Sequence, residues 1–301
     1  MSQNLEKIDF FMREFIAEFD CDEALKMFDE LSSGKKLRSK LLLNIAGINE
    51  NSLKLCAIIE LIQAASLLHD DVIDESDTRR GKPSINATYG SKNAVMLGDI
   101  LYSKAFFELT KFDKFVAGCI SESVAKLSVG ELIDVKMGES FNDDEKKYLN
   151  MIYLKTAALI EASAMSGAFL AGLNTTKFGE YGKNLGIAFQ IIDDILDITQ
   201  DSAKLGKPAL NDFKEGKTTL PYIYLYENLQ VNDKEYLKSL FGKELNSQES
   251  AWIKAKFGEF KIIEKCVNLA KNYGEKALQS VSEFKNEKLN EIVLNMINRE
   301  F

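Results

Sequence analysis

Ala64-Ala65-Ser66-Leu67-Leu68-His69-Asp70-Asp71-Val72-Ile73-Asp74 and Ile187-Ala188-Phe189-Gln190-Ile191-Ile192-Asp193-Asp194-Ile195-Leu196-Asp197 follow one pattern: an apolar run that ends in Asp-Asp-x-x-Asp. On a helix, at about 100° per residue, the first and third acids of such a motif project within roughly 40° of each other. Each motif therefore aims carboxylates off one face of a mostly buried helix. Clustered like charges repel and resist loss of water. They call for cations, and hard oxygen ligands suit Mg²⁺, which shares itself readily with substrate phosphates. One such motif reads equally well as an acidic helix end in water; recurrence after a second apolar run argues against that. His69, beside the first motif, reads as a packing or hydrogen-bonding side chain with no catalytic role.

Outward from these motifs, helical periodicity dominates. Residues 5–18 carry apolar positions at Leu5, Ile8, Phe11 and Phe15, and a break follows at Ser32-Ser33-Gly34. Residues 37–48, 56–68, 93–109, 120–135, 146–173 and 179–198 read as helices. The 56–68 stretch is apolar except at Glu60, Gln63 and Ser66, as expected of a helix buried on most sides. Residues 211–216 read as a polar loop, 232–259 as charged and weakly patterned, and 269–301 as amphipathic helix. No strand-like alternation competes. The chain has only three prolines, Pro83, Pro208 and Pro221, each beside a charged motif. Proline breaks helix interiors, so this scarcity favours long helices. With 301 residues, 46% hydrophobic, and no linker-like segment, the expectation is an all-α bundle of long helices forming one domain over residues 1–301.

The formal net charge is −8 and no basic stripe is visible, which argues against a nucleic-acid partner. Cys21, Cys56, Cys119 and Cys266 are scattered, against a zinc site or disulfide framework and in keeping with a reducing cytoplasm. The first residues lack the basic-then-apolar layout of a signal peptide, and no uncharged run approaches a membrane span. Peripheral membrane contact stays open for a greasy product.

Basic residues are concentrated locally. Ser33-Gly34-Lys35-Lys36-Leu37-Arg38 opens a helix, where the dipole and free amides favour an anion. Arg79-Arg80-Gly81-Lys82 trails the first acidic motif; Gly206-Lys207 and Gly216-Lys217 trail the second; Lys155-Thr156 lies inside a long helix. Two Mg²⁺-binding walls, phosphate-binding bases and apolar surroundings suit a substrate with a diphosphate head and a hydrocarbon tail.

Gly34 to Leu220, with both aspartate-rich regions in order and Lys155-Thr156 between them, resembles the trans-polyprenyl diphosphate synthase family, its long-chain members in particular. The resemblance implies helices around a deep central cavity and a homodimer. It implies ionisation of an allylic diphosphate, attack by isopentenyl diphosphate and proton loss to the released diphosphate. By position, Asp70, Asp71, Asp74, Asp193, Asp194 and Asp197 match Mg²⁺ ligands, about three ions per site with substrate bound, and Asp70, Asp71, Lys155 and Asp193 match the catalytic set. Arg79, Lys155, Thr156, Gln190, Lys207 and Lys217 match the allylic diphosphate site. Lys35, Arg38, Gln63 and Arg80 match the isopentenyl diphosphate site. Gln63 stands where many members carry histidine, Ser33 where glycine is usual, Ser39 where proline is usual, and Asp134 where long-chain members often have glutamine.

The physics fits the implied reaction. Leaving-group charge is stabilised by metal and bases as it develops, and an apolar cavity shields the allylic cation from water. Three alternatives compete: a short-chain farnesyl or geranylgeranyl diphosphate synthase, a terpene cyclase, and a noncatalytic synthase subunit. A cyclase needs no second diphosphate site, and a noncatalytic subunit typically loses acidic ligands. Product length rests on Ala65 and Ser66, one helical turn (about 5.4 Å) below Asp70. In the family, aromatics near these positions go with short products. Both are small here, so the expected product is about C30 to C40, made from farnesyl diphosphate for quinone side chains.

Overall fold

The computed structural model describes residues 2–199 and 210–297. α1 (Ser2–Ala17), α2 (Asp22–Asp29), α3 (Leu37–Ala46) and α4 (Glu50–Ile73) lead into a two-residue hairpin, β1 (Thr78–Arg79) against β2 (Lys82–Pro83). α5 (Ile85–Tyr89), α6 (Ser91–Leu109), α7 (Lys114–Met137) and α8 (Glu145–Ile152) follow. A π-helical turn (Tyr153–Ala157) joins α8 to α9 (Ala158–Leu170), and α10 (Thr175–Thr199) carries the second acidic motif. After α11 (Asn211–Lys214) come α12 (Leu220–Asn228), α13 (Val231–Leu240), α14 (Ser247–Glu259), α15 (Ile262–Ser280), a 3-10 turn (Ser282–Phe284) and α16 (Glu287–Ile297). The all-α class expected from the periodicity is what folds.

Two compact units share the chain. One comprises Met1–Val124 with Leu159–Gly179. Its spine is α4, which packs on α1, α3 and α6. Asn49 starts α4 with a capping box: its side chain accepts from Ser52 N while Ser52 Oγ accepts from Asn49 N. Leu55, Ile58, Ile59, Leu61, Ile62 and Ala65 are all fully buried, so α4 is apolar nearly all round. By length and composition it is long and apolar enough to cross a bilayer, which a count of uninterrupted uncharged residues misses because Lys54 and Glu60 divide it. In the folded unit 67% of that stretch is buried, as in a core helix.

The second unit comprises Ala125–Ala158 with Glu180–Phe301. Its core gathers Tyr148, Ile191, Ile195, Phe213, Tyr222 and Phe257. Phe213 stacks on Tyr222 at 4.2 Å. This burial turns the expected 211–216 loop into the single helical turn α11: Leu210 and Phe213 are buried, and local polarity yields to the core. The weakly patterned 232–259 stretch resolves into α13 and α14, the latter started by an Asn246–Glu249 capping box. The small hairpin of the first unit also departs from the all-helical reading. Arg80 (φ 53°) and Gly81 (φ 73°) are its two central residues, both left-handed as a type I′ turn requires.

Candidate active-site residues

In the first unit, Asp70 and Asp71 lie in the last turn of α4, and Asp74 is its C-cap. That turn contains no basic residue. A helix C-terminus carries partial negative charge, so carboxylates there are held against the dipole unless a cation joins them. Asp71 is buried, and its carboxylate takes Arg79 Nε at 2.6 Å and Nη2 at 2.5 Å. Burial pushes the Asp71 carboxyl above its ordinary value, and Arg79 opposes that shift. The tight hairpin turns Arg79 back towards α4, helped by Ser76 N donating to Asp71 O at 2.9 Å and Ser84 Oγ donating to Ser76 O at 2.7 Å.

The basic segment before α3 belongs to the same unit. Lys35 is exposed and Lys36 is buried, with its Nζ paired to Asp9 of α1. Arg80 Nη1 donates to Ser32 O at 2.8 Å. A Cβ at Gly34 would fall 2.9 Å from Arg80 Nη2, so the glycine lets the guanidinium lie on the segment's backbone. Burial lowers the Arg38 guanidinium to about 10, and Glu60 opposes that. Ser39 Oγ donates to Glu60 at 2.5 Å. Arg38 Nε and Gln63 Oε1 are both buried with no hydrogen-bond partner in the protein. A buried guanidinium N–H lacking an acceptor is costly and fits an anionic ligand's oxygen.

Ala65 and Ser66 are both buried, and Ser66 Oγ donates to Gln63 O at 2.9 Å. His69 packs as expected. Its Nε2 lies 3.3 Å from Val95 O, and a Cβ at Gly98 of α6 would fall 2.3 Å from that same nitrogen.

In the second unit, α10 carries Asp193 and Asp194 in its penultimate turn and Asp197 in its last, which again has no basic residue. Asp193 is exposed; Asp194 and Asp197 are buried. Gln190 Nε2 donates to Asp194 Oδ1 at 2.8 Å, and Tyr148 OH donates to Asp194 Oδ2. Thr156 Oγ1 donates to Gln190 Oε1 at 2.8 Å, which fixes the amide's orientation. Burial, then Asp212, raises the Asp194 carboxyl well above its ordinary value; its two hydrogen bonds work the other way. Asp197 Oδ2 accepts from Asp212 N at 3.2 Å, and its backbone oxygen accepts from Leu210 N, tying α11 back to α10. Among the described residues, no three His, Cys, Asp or Glu side chains converge as a ready-made metal cluster. The motif acids are hard oxygen donors near the C-termini of two helices, a donor set that fits Mg²⁺.

Lys155 and Thr156 sit in the π turn, where the sequence pattern implied continuous α-helix. Lys155 Nζ meets Glu131 at 2.7 Å and Asp134 at 2.6 Å. Two glycines flank this turn: a Cβ at Gly130 would fall 2.4 Å from Lys155 N, and one at Gly186 would fall 2.5 Å from Ala157 Cα. Lys217 Nζ lies 3.2 Å from Glu215. Lys207 is outside the described residues. Sequence reasoning missed Tyr148, Glu131 and Glu60 as partners. It noted Asp134 without a role. The glycines inside helical patterns were the available signal of close backbone approach.

The family model described as polyprenyl synthetase matches residues 22–256. The crystal structure of octaprenyl pyrophosphate synthase from Helicobacter pylori is 44% identical, covers 99% of this chain and 100% of that one, and superposes with a TM-score of 0.95. Octaprenyl diphosphate synthase of Escherichia coli is 39% identical over 64% of this chain and 62% of its own length. Geranylgeranyl diphosphate synthase of Sulfolobus acidocaldarius is 35% identical over 84% of this chain and 81% of its own.

Proposed function

The chain belongs to the polyprenyl synthetase family and is a trans-prenyltransferase; from that premise we propose that it condenses isopentenyl diphosphate with farnesyl diphosphate into an all-trans product of about C30 to C40. The carrying observation is the pair of Asp-Asp-x-x-Asp motifs in the last two turns of α4 and α10, with no basic residue in either last turn.

In this reading Asp70, Asp71, Asp74, Asp193, Asp194 and Asp197 hold Mg²⁺, and Asp70, Asp71, Lys155 and Asp193 are essential to the chemistry. Bound Mg²⁺ stabilises the negative charge that develops on the departing diphosphate. Arg79, Lys155, Thr156, Gln190, Lys207 and Lys217 bind the allylic diphosphate. Arg79 and Lys155 approach that role already paired with carboxylates, so each exchanges a protein carboxylate for phosphate oxygens. Gln190, fixed by Thr156 and Asp194, presents its amide in one orientation. Lys35, Arg38, Gln63 and Arg80 bind isopentenyl diphosphate, which supplies the acceptor that buried Arg38 Nε lacks. The chain offers no evident general base for the final proton loss, and the released diphosphate takes that role.

The long product is supported by the small side chains of Ala65 and Ser66 and by likeness to octaprenyl synthases. The family match takes in residues of both units and supports one functional domain. Exposed Val95, Met96 and Phe106 on α6 support self-association as a homodimer. The reading is completed by a cytoplasmic enzyme for quinone side-chain synthesis, with peripheral membrane contact when its product leaves. The test is purified protein with Mg²⁺, farnesyl diphosphate and radiolabelled isopentenyl diphosphate, the products dephosphorylated and sized. Chains of six to eight isoprene units are expected, with loss of turnover in EDTA. Products that stop at geranylgeranyl length overturn the long-chain reading. Hydrocarbon without isopentenyl uptake indicates a cyclase, and no turnover without a partner indicates a subunit.

A further inference from the structure

The segment that carries Lys35 and Arg38 is held in an unfavourable backbone state. Lys36, immediately before α3, has φ 50° and ψ 47°, the left-handed region that a residue with a Cβ avoids. Its side chain is only 5% exposed, yet it ends in an ammonium. That ammonium is paired with Asp9, in the middle of α1 and outside the residues the family match covers. Elsewhere the segment is anchored by Arg80 on Ser32 O and by Ser39 on Glu60. Residue 36 itself is held by two contacts: its backbone oxygen accepts from Lys40 N at 2.9 Å, and its ammonium meets Asp9. Left-handed geometry there sets the angle between Lys35, on the segment before α3, and Arg38, in the first turn of α3.

We propose that Asp9 is a positioning residue for isopentenyl diphosphate: by holding the buried Lys36 ammonium it keeps residue 36 left-handed and so fixes Lys35 relative to Arg38. The proposal rests on the assignment of Lys35 and Arg38 to that diphosphate. Asp9 is 54% exposed, and an exposed carboxylate in an ordinary surface pair contributes little. Here its partner is buried, so removing Asp9 leaves an ammonium with two outcomes: stay buried with only the charge of Glu60 to oppose it, or swing out to water and release the strained torsion. Either outcome loosens the same two phosphate-binding side chains.

Four variants of the full-length enzyme test this by steady-state kinetics with each substrate varied in turn. D9A should raise KM for isopentenyl diphosphate about five- to tenfold, with kcat and the allylic KM within about twofold of wild type. K36A keeps a Cβ at the strained torsion and loses the ammonium, so it should match D9A. K36G also loses the ammonium, but glycine adopts positive φ without steric cost, so it should bind isopentenyl diphosphate within about twofold of wild type. R38A reports on the site assignment and should raise the same KM further. If R38A leaves that KM unchanged, the assignment fails and the proposal falls with it. If R38A raises it while D9A does not, the positioning role alone is refuted. If K36G is as impaired as K36A, the ammonium itself acts and the backbone argument is wrong.

Discussion

Gly130→Ala adds one methyl group where the backbone of α7 meets the π turn. The new Cβ would lie 2.4 Å from Lys155 N, 2.8 Å from Leu154 C and 2.8 Å from Lys155 Cα. All three are backbone atoms, so no side chain can rotate away. To move from 2.4 Å to the 3.4 Å at which ordinary contact begins, α7 and the turn must separate by about 1 Å. That separation also stretches the contacts of Lys155 with Glu131 and Asp134, which lie on α7 just beyond Gly130. Overpacking of this kind costs about 1–3 kcal/mol, and the better helix propensity of alanine returns up to about 1 kcal/mol. With the full return the expected net loss is about 0–2 kcal/mol, which lowers Tm by up to a few degrees in a chain of this size. With Lys155 in its proposed role at the allylic diphosphate, the catalytic effect should be larger, since a 1 Å misplacement of such a group can lower kcat by about 100-fold. The control is Gly118→Ala on the same helix, where an added Cβ meets nothing within 4 Å. It should leave kcat unchanged and raise Tm slightly. Radiolabelled isopentenyl incorporation at saturating substrates, beside thermal melts, reads both effects. If Gly130→Ala keeps kcat within about twofold and melts with Gly118→Ala, the tight contact at the π turn does not set Lys155's position.

Asp70→Asn and Asp193→Asn should each lower kcat by about three orders of magnitude or more while the thermal melt stays near wild type, since each removes charge stabilisation realised in the transition state; near-normal turnover at limiting Mg²⁺ would exclude that carboxylate as a ligand. Ala65→Tyr places an aromatic ring one turn below Asp70 and should shift the product to farnesyl or geranylgeranyl length. Ala65 is fully buried, so a stability loss of about 1–3 kcal/mol accompanies it and must be measured alongside. Glu108→Gln removes one of the two carboxylates that meet Lys104, Glu108 at 2.8 Å and Glu18 at 2.6 Å, and should cost roughly 1.5–3 kcal/mol at neutral pH. Burial pushes the Glu108 carboxyl up, but hydrogen bonds from Lys104 and Lys111 outweigh that and hold it below its ordinary 4.5. Its stabilisation is therefore complete above 4.5 and lost as pH falls through the lower folded-state value, so the wild-type and variant melts should converge in acid.

The acidic motifs were legible because their meaning is local: spacing on a helix and an apolar run before them suffice to place Asp70 and Asp193 at helix ends. The partners of those acids were not. Tyr148 reaches Asp194 across 46 residues of sequence, and nothing local to either residue marks the pairing. The π turn at Lys155 was hidden for a related reason. One extra residue per turn leaves the apolar pattern of 146–173 almost intact, and only the glycines at 130 and 186, on other helices, register the close approach it needs. At α11 the local signal pointed the wrong way. Asn211, Asp212 and Lys214 read as loop, while the fold is decided by Leu210 and Phe213, buried in the core of the unit. The basic residues show the same division most sharply. Lys35, Lys36 and Lys155 are indistinguishable as phosphate binders by composition. In the folded chain one is exposed, one is buried and committed to Asp9, and one is held between two carboxylates. Exposed Lys35 can meet a phosphate directly, and Lys155 only by trading Glu131 and Asp134 for phosphate oxygens. Lys36 serves best by never meeting one. The role of each follows from which carboxylate the tertiary fold sets against it.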